Sequence, residues 1–232
     1  AFRLGRYPIH FHLNGNISGS YVRGCAIHHT FNRAVTIHAV NYLLVEKNVA
    51  YNILGHAFFL EDGVEVGNVI QDNLGIFVRA SSSLLNVDIT PATFWIVNPN
   101  NTVRRNAAAG GTHFGYWYRL PLNPTGPSAT PLVCPRSIPL GEFSDNSAHS
   151  FGWYGLWVFP RYHPQVGGGC GGNNPQPVYF DNLLSWHNNQ GAEFTEVGAL
   201  QLRNSVLLDN DLAGLTVVHV EARWGSQSAA LQ

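Results

Sequence analysis

Four-residue stretches in which core-type residues occupy the first and third places recur along the chain. Side chains alternate across a β-strand, so these two places predict a buried face and the other two an outer face. When the stretches are aligned as equivalent strands, their fourth positions form one outer column: His12, His38, Glu61, Arg79 and Arg119. The aligned stretches are residues 9–12, 35–38, 58–61, 76–79, 116–119 and 157–160.

An asparagine followed by a small or apolar residue recurs between these stretches, at positions 48, 68, 106, 146, 182 and 204. The shortest intervals between these asparagines are 20 and 22 residues, which suits one coil of a solenoid. At a bend, each side-chain amide can bond its equivalent in the next coil, and asparagine tolerates left-handed backbone geometry. The repeat predicts one ladder of stacked asparagines.

The predicted fold is therefore an all-β, right-handed parallel β-helix of about eight coils. Three segments rich in Pro, Gly and Ser interrupt the repeat, at about 80–93, 120–141 and 160–177, and we expect them to leave the stack as loop insertions. Residues 1–232 are interpreted as a single β-helix segment of a larger protein.

Composition narrows the possible partners. The 232 residues are 45% hydrophobic and only 12% charged, with a net charge of −1. Without a basic stripe to replace counterions, nucleic acid is not an expected partner. Apolar runs are shorter than the roughly 18–20 residues of a membrane span, so we expect no membrane contact by this segment.

The three cysteines are expected to have different fates. Cys134 and Cys170 lie in neighbouring insertions and are predicted to form a disulfide, whereas Cys25 is predicted to be a buried thiol. A disulfide indicates an oxidising compartment. Two sequons, beginning at Asn16 and Asn100, are predicted glycosylation sites and indicate the same environment.

The outer column contains the strongest candidate chemistry. His10 and His12 share a strand face, and His38 and Glu61 follow on successive coils about 4.8 Å apart. Imidazoles and a carboxylate at this spacing predict a site for a divalent metal, zinc or calcium, held by His10, His12, His38 and Glu61. The alternative is a hydrogen-bonded ladder of polar side chains without an ion.

Further residues suggest carbohydrate chemistry. Asp62 follows Glu61, and such a pair can divide acid and base work, although Glu-Asp-Gly is also ordinary turn chemistry. Arg79 and Arg119 are candidates for gripping a uronate carboxylate, and Trp117 for a sugar platform beside Arg119. The alternatives are solvated surface arginines and a tryptophan covered by an insertion.

Several runs resemble the β-helix region that follows a G8 domain in the fibrocystin-L family, which is related to the cell-surface and secreted hyaluronidases of the cell-migration-inducing type. The runs are residues 5–12 (GRYPIHFH), 22–28 (VRGCAIH), 34–38 (AVTIH), 55–63 (GHAFFLEDG), 98–101 (NPNN), 106–111 (NAAAGG) and 139–143 (PLGEF). The resemblance implies a large protein of the extracellular or cell surface, with a ciliary location as one expectation.

Two functions are consistent with these features. The favoured one is a structural and recognition module, not an enzyme, whose partners are neighbouring domains of its own chain and extracellular glycans or surface-coat proteins. The alternative is a metal-dependent glycoside hydrolase of the hyaluronidase type, which depolymerises a hyaluronan-like polysaccharide.

Overall fold

Strands dominate the chain, and the strands of the described residues pair in parallel, as β1 does with β4 and β10 with β13. The computed structural model describes residues 7–82, 86–221 and 230–231. Numbered β1 to β23 in chain order, successive strands enter three sheets in turn, which contain eight, eight and seven strands. The predicted parallel β-helix is therefore confirmed. Within the described residues, no helix is both long enough and apolar enough to cross a membrane.

The first sheet carries the alternating stretches of the sequence. Its inward residues, such as Ile37, Phe58, Phe94 and Tyr116, are buried in the interior of the coil stack. Its outward residues include His12 and His38, which line the cleft described in the next subsection. The eight strands, in spatial order, are β1 (Ile9–Asn16), β4 (Val35–Asn41), β7 (Phe58–Leu60), β10 (Ala92–Ile96), β13 (Phe114–Leu120), β16 (Tyr154–Pro160), β19 (Gln190–Val197) and β22 (Ala213–Val220).

The second sheet is built from short strands, and each of its three-residue strands buries the central side chain. Val45, Ile70 and Val103 are fully buried at successive central positions. The strands are β2 (Tyr21–Arg23), β5 (Leu44–Glu46), β8 (Val69–Gln71), β11 (Thr102–Arg104), β14 (Glu142–Ser144), β17 (Val178–Asp181), β20 (Leu200–Arg203) and β23 (Ala230–Leu231).

The third sheet follows a bend after each strand of the second. Small residues, including Ala50, Gly75, Ala108 and Ala148, fill its inward positions where it packs against the first sheet. Its strands are β3 (Ala26–Thr30), β6 (Val49–Leu54), β9 (Leu74–Arg79), β12 (Ala107–Gly111), β15 (Ser147–Phe151), β18 (Leu184–Trp186) and β21 (Val206–Leu208).

A ladder of buried asparagines lies at the bend between the second and third sheets. The amide of Asn48 donates to Asn73 at 2.9 Å, Asn73 donates to Asn106 at 3.0 Å, and Asn106 donates to Asn146 at 3.3 Å. Each of these residues is at most 2% exposed, so the amides satisfy one another away from water.

The ladder prediction was wrong at three of its six positions. Asn182 and Asn204 are exposed and sit one residue earlier in the bend, at φ near +51°, while Leu183 occupies the ladder position. Asn68 belongs to a second ladder, in which its amide donates to Asn101 at 3.0 Å.

The outer column was also partly misaligned. His12 pairs with His38 as predicted, but residues 76–79 belong to the third sheet, and β10 takes their place in the first. By this register Val97, and not Arg79, lies between Glu61 and Arg119. In β16, Trp157 pairs with Trp117, which places that strand one residue out of the predicted alignment.

Three longer connections leave the coils, between β9 and β10, between β13 and β14, and between β16 and β17. We call the last two the second insertion (residues 121–141) and the third insertion (residues 161–177). Each connection contains short 3₁₀ turns: Asn86–Ile89 in the first, Gly126–Ser128 and Pro135–Ser137 in the second insertion, and Val166–Gly168 in the third.

Candidate active-site cleft

A cleft of about 830 Å³ opens on the outer face of the first sheet. One wall consists of outward side chains from β1 and β4 and of residues at the end of β7, and the other comes from residues 121–127 of the second insertion. We call this space the histidine cleft. Its polar lining includes His10, His12, Arg33, His38, Glu61, Asp62 and Arg119.

Three histidines meet at one end of the histidine cleft. One ring nitrogen from each of His10, His12 and His38 lies within 4.8 Å of the others. The Nδ1 atoms of His12 and His38 are 3.0 Å apart, and the rings of His10 and His38 are parallel with centroids 6.2 Å apart. This cluster arises because β1 and β4 pair in register and alternation directs all three side chains outward.

A carboxylate orients the central histidine. His38 Nε2 lies 2.9 Å from Asp62 Oδ2, and both side chains are buried. A carboxylate only accepts hydrogen bonds, so Nε2 is the nitrogen that donates in this contact. In the neutral form of His38, the lone pair of Nδ1 then faces His12 Nδ1, 3.0 Å away, and Glu61 Oε2, 3.5 Å away.

Glu61 also contacts a fully buried arginine through the same oxygen that faces His38. Arg33 Nη1 lies 3.5 Å from Glu61 Oε2, and Arg33 Nε lies 3.3 Å from Asp88 Oδ1. The guanidinium lies over the ring of Phe59, 3.6 Å from its centroid, and over Tyr7 at 4.4 Å. These ion pairs and ring contacts compensate the cost of burying the charge.

The turn that carries Asp62 is built around a second buried carboxylate. Glu65 Oε1 accepts the backbone N–H groups of Ala39 and Asp62, each at 2.9 Å, and Oε2 accepts that of Gly63 at 2.7 Å. Burial raises the pKa of Glu65, an effect that these backbone donors partly offset. Gly63 has φ of +104°, a backbone conformation that favours glycine.

The second insertion closes over Asp62. The N–H of Thr125 donates to the Asp62 carbonyl at 2.9 Å, and the N–H of Ser128 donates to Oδ2 at 3.2 Å. Gly126, with φ of +60°, comes so close that a Cβ there would lie 2.5 Å from Asp62 Oδ1. Asp62 therefore contacts both His38 and the insertion.

The donor set fits a transition-metal ion. Bonds of about 2.0–2.1 Å to nitrogen place neighbouring ligand atoms roughly 3–4 Å apart. The contacts from His38 Nδ1 to His12 and to Glu61 fall in that range. The bond from His38 to Asp62 is the carboxylate contact typical of metal-bound imidazole. Imidazole favours zinc and similar ions, whereas calcium takes oxygen ligands.

Most of the predicted site residues come together, and two do not. His10, His12, His38, Glu61, Asp62 and Arg119 all line the histidine cleft. Arg79 lies on the third sheet, where it bonds Asn52 and packs over Phe77, so it is not paired with Arg119. Arg79 was assigned to the outer column because the apolar and polar residues of its strand alternate as they do in the first sheet. Strands of the third sheet show the same alternation, so the pattern could not tell the two sheets apart.

Trp117 is not the exposed platform that was considered. Its side chain is 8% exposed and packs among Phe114, Trp95 and Trp157. Trp95, one coil nearer to the histidines, lines the cleft instead and stacks with Phe59. Within the described residues, the indole nitrogen of Trp95 is buried and makes no hydrogen bond.

Sequence reasoning missed four groups that shape the cleft: Tyr7, Arg33, Glu65 and Asp88. Arg33 lies in a bend and Asp88 in an insertion, 55 residues apart, so no local pattern pairs them. Glu65 follows the Asp62-Gly63 turn by two residues and accepts the N–H groups of both, a role that its place in the sequence did not indicate.

The cysteines and sequons lie outside the histidine cleft. The predicted disulfide between Cys134 and Cys170 is present and joins the second and third insertions. Cys25 is free, as predicted, but it is partly exposed in the bend before β3, not buried within a strand. Asn16 and Asn100 are exposed, and their glycosylation stays a prediction.

Comparison with known proteins agrees with this architecture. The chain is 52% identical over its whole length to mouse fibrocystin-L, of which it spans 6%. It is 31% identical to human cell surface hyaluronidase CEMIP2 over 92% of this chain and 19% of that protein. It is also 39% identical to the human cell migration-inducing and hyaluronan-binding protein, over 63% of this chain and 13% of that protein.

These relatives support an extracellular or cell-surface β-helix module. The family model described as the CEMIP β-helix matches residues 1–156, which include all the residues of the histidine cleft. The chain belongs to the CEMIP β-helix family.

Proposed function

We propose that the histidine cleft binds an acidic polysaccharide of the hyaluronan class, with the help of a divalent metal ion. The chain then acts as a recognition module for extracellular glycans. Its other partners are neighbouring domains of its own protein and surface-coat proteins. A ciliary location stays a prediction. The observation that carries the proposal is the convergence of three imidazoles, Glu61 and Arg119 in one cleft.

Each group has a role that follows from its chemistry. His10, His12 and His38 would hold the ion, with Glu61 beside His38 as a further ligand and Asp62 fixing the His38 ring. Binding requires His12 to carry its proton on Nε2, so that Nδ1 is free to ligate. A bound divalent ion would polarise a carboxylate or glycosidic oxygen of the sugar.

Arg119 would supply the second contact to the polysaccharide. Burial lowers the pKa of its guanidinium, which indicates a charge that is poorly hydrated. The described residues provide no ion pair or side-chain hydrogen bond to Arg119 that would compensate it. A uronate carboxylate would meet that need with paired hydrogen bonds.

A second candidate function is depolymerisation of the same polysaccharide. It is favoured by the two carboxylates at His38: Asp62 lies 2.9 Å from one ring nitrogen and Glu61 lies 3.5 Å from the other. Carboxyl groups in different environments can act as acid and base in glycoside cleavage. The hyaluronidase name of one relative points to the same reaction class.

Metal content and hyaluronan binding test the proposal together. After dialysis against zinc followed by zinc-free buffer, we expect a bound ion in the wild type and in His28→Ala, a control at an exposed histidine. His38→Ala should lose both the ion and hyaluronan affinity while keeping the β-sheet signal in circular dichroism. A wild type that binds neither zinc nor hyaluronan overturns the proposal.

Cleavage is tested separately from binding. If the cleft is catalytic, the zinc-loaded protein should shorten high-molecular-weight hyaluronan on a gel, and Asp62→Asn should abolish shortening. Unchanged polymer length despite binding would leave recognition as the function and remove the enzyme.

A further inference from the structure

A second cleft, of about 390 Å³, lies between the second and third insertions. We call it the insertion cleft. It is lined by Arg136 and Ser137 from the second insertion, by Arg161, His163 and Gln165, and by residues 170–173 around Cys170. None of these residues belongs to the histidine cleft.

The insertion cleft is a built structure. The disulfide between Cys134 and Cys170 joins its two sides. The carbonyl of Arg136 accepts the N–H of His163 at 2.8 Å, and that of Ser137 accepts the N–H of Gln165 at 2.8 Å. Both segments are thereby fixed around Arg136.

The charge in this region is positive and incompletely compensated. Arg161 forms an ion pair with Glu196, but Arg136 forms none among the described residues, and its Nε is buried without a hydrogen bond. Burial lowers the pKa of Arg136, and so do the positive charges of Arg161 and Arg119, whereas Glu196 alone raises it. Two further guanidinium groups therefore act on Arg136. The nearby carboxylates are Glu196, which pairs with Arg161, and Glu221, which lies within 4.8 Å of Glu196 and His163.

The two clefts adjoin at the start of the second insertion, where Pro121 lines the histidine cleft and Leu122 lines the insertion cleft. Arg119 lines the histidine cleft at the end of β13, and its positive charge contributes to lowering the pKa of Arg136. In the outer column, Arg119 lies three strand positions from His38, about 14 Å at the usual strand spacing. This separation exceeds the size of one sugar ring, so a ligand that reaches from the histidines to Arg136 must be a chain.

From this arrangement we infer that Arg136, with Arg161 beside it, forms a second anion subsite that binds a further carboxylate or sulfate group of an acidic polysaccharide occupying the histidine cleft. Guanidinium groups suit both anions, because each offers two oxygens for paired hydrogen bonds. The polysaccharide part of the inference rests on the proposed function, whereas the anion site itself does not.

The anion site is tested first with inorganic sulfate. In the purified protein, the Arg136 Nε–H nuclear magnetic resonance signal should shift and saturate as sulfate is added. Arg105, which is exposed and ion-paired with Asp72, provides the control signal. A shift of Arg136 no larger than that of Arg105 overturns the subsite, whatever the histidine cleft binds.

Chain length then tests the link between the clefts. Hyaluronan oligosaccharides too short to leave the histidine cleft should bind equally to wild type and Arg136→Gln. For long oligosaccharides, Arg136→Gln should weaken binding about tenfold or more, the usual effect of losing a charge-assisted hydrogen bond. Arg136→Lys, which keeps the charge without the paired donors, should give an intermediate loss, and Arg105→Gln none.

Each remaining result has one meaning. An equal loss for short and long chains, or no loss for either, overturns the subsite while the proposed function stands. Failure of the wild type to bind any oligosaccharide overturns the proposed function and the polysaccharide ligand, although a saturating sulfate shift would still retain the anion site. Chondroitin oligosaccharides of matched length, with and without sulfate, distinguish the groups: tighter long-chain binding of the sulfated form identifies sulfate, and equal or weaker binding identifies carboxylate, which both forms carry.

Discussion

A single asparagine can stabilise three coils at once. The Asn106 amide donates to Ile70 in the preceding coil at 2.8 Å and to Asn146 in the following coil at 3.3 Å, while its oxygen accepts the N–H of Asn73 at 3.0 Å. The residue is 2% exposed, so water cannot replace these partners. This satisfaction of donors and acceptors is what the repeated asparagines provide.

The residue pattern identified the ladder only in part. Asn48, Asn106 and Asn146 were placed correctly, whereas Asn73 was missed. Asn182 was misplaced because an asparagine also suits the preceding bend position, where the backbone is left-handed. Spacing alone cannot separate two adjacent positions that favour the same residue for different reasons.

We expect Asn106→Asp to lower the free energy of unfolding by about 1–3 kcal/mol for each buried group left without a partner. Aspartate lacks the two amide donors and adds a buried charge, so the carbonyl of Ile70 loses its partner. The control is Asn204→Asp, at an exposed left-handed position that aspartate also tolerates. Urea unfolding measures both, and equal losses would contradict the ladder.

At the scale of the element, alternation identifies strands but not the sheet to which each belongs. Residues 76–79 and 94–97 have similar patterns, and only the complete coil shows that the second set continues the first sheet. The histidine cluster was predictable because no insertion interrupts the coil between β1 and β4, so the spacing of the repeat aligned His12 with His38 correctly. The far wall of the cleft was not, since residues 121–127 have no periodic pattern.

The second insertion should depend on its disulfide for its position over Asp62. The bond closes a loop with a sequence separation of 36, which stabilises by about 3–4 kcal/mol in the chain-entropy treatment. In a Cys134→Ser, Cys170→Ser variant, we expect faster hydrogen exchange at the Thr125 and Ser128 amides, which bond Asp62.

Two internal comparisons accompany the disulfide variant. Amides that bond the asparagine ladder, such as that of Asn73, should keep their protection, because the coils do not require the insertion. Cys25→Ser should leave exchange unchanged throughout the insertion. Undiminished protection at Thr125 and Ser128 would show that the contacts with Asp62 hold the insertion unaided.

Across the whole molecule, stacking makes each coil depend on its neighbours. Parallel rings of Phe58, Phe94 and Tyr116 form a column in the core, with centroids 4.9 and 4.8 Å apart. In a solenoid, stability is approximately the sum of single-coil terms and interfaces between neighbouring coils. The loss of unfolding free energy on truncating a side chain therefore depends on how many coil interfaces that side chain contacts, as well as on its size.

This argument predicts different effects for deletions in the middle and near one end of the stack. Phe94→Ala removes a fully buried ring that contacts both adjacent coils and should cost about 3–5 kcal/mol. Leu215→Ala affects a partly buried residue of β22, the last strand of the first sheet in the described residues, and should cost less.

Native-state hydrogen exchange measures where protection is lost. Phe94→Ala should weaken protection in the coils of β7 and β13 on its two sides, including the amides of Asp62 and Gly63 that bond Glu65, whereas Leu215→Ala should weaken only β19 and β22. If both variants lower protection uniformly along the chain, the stack unfolds as one cooperative unit and the nearest-neighbour description fails.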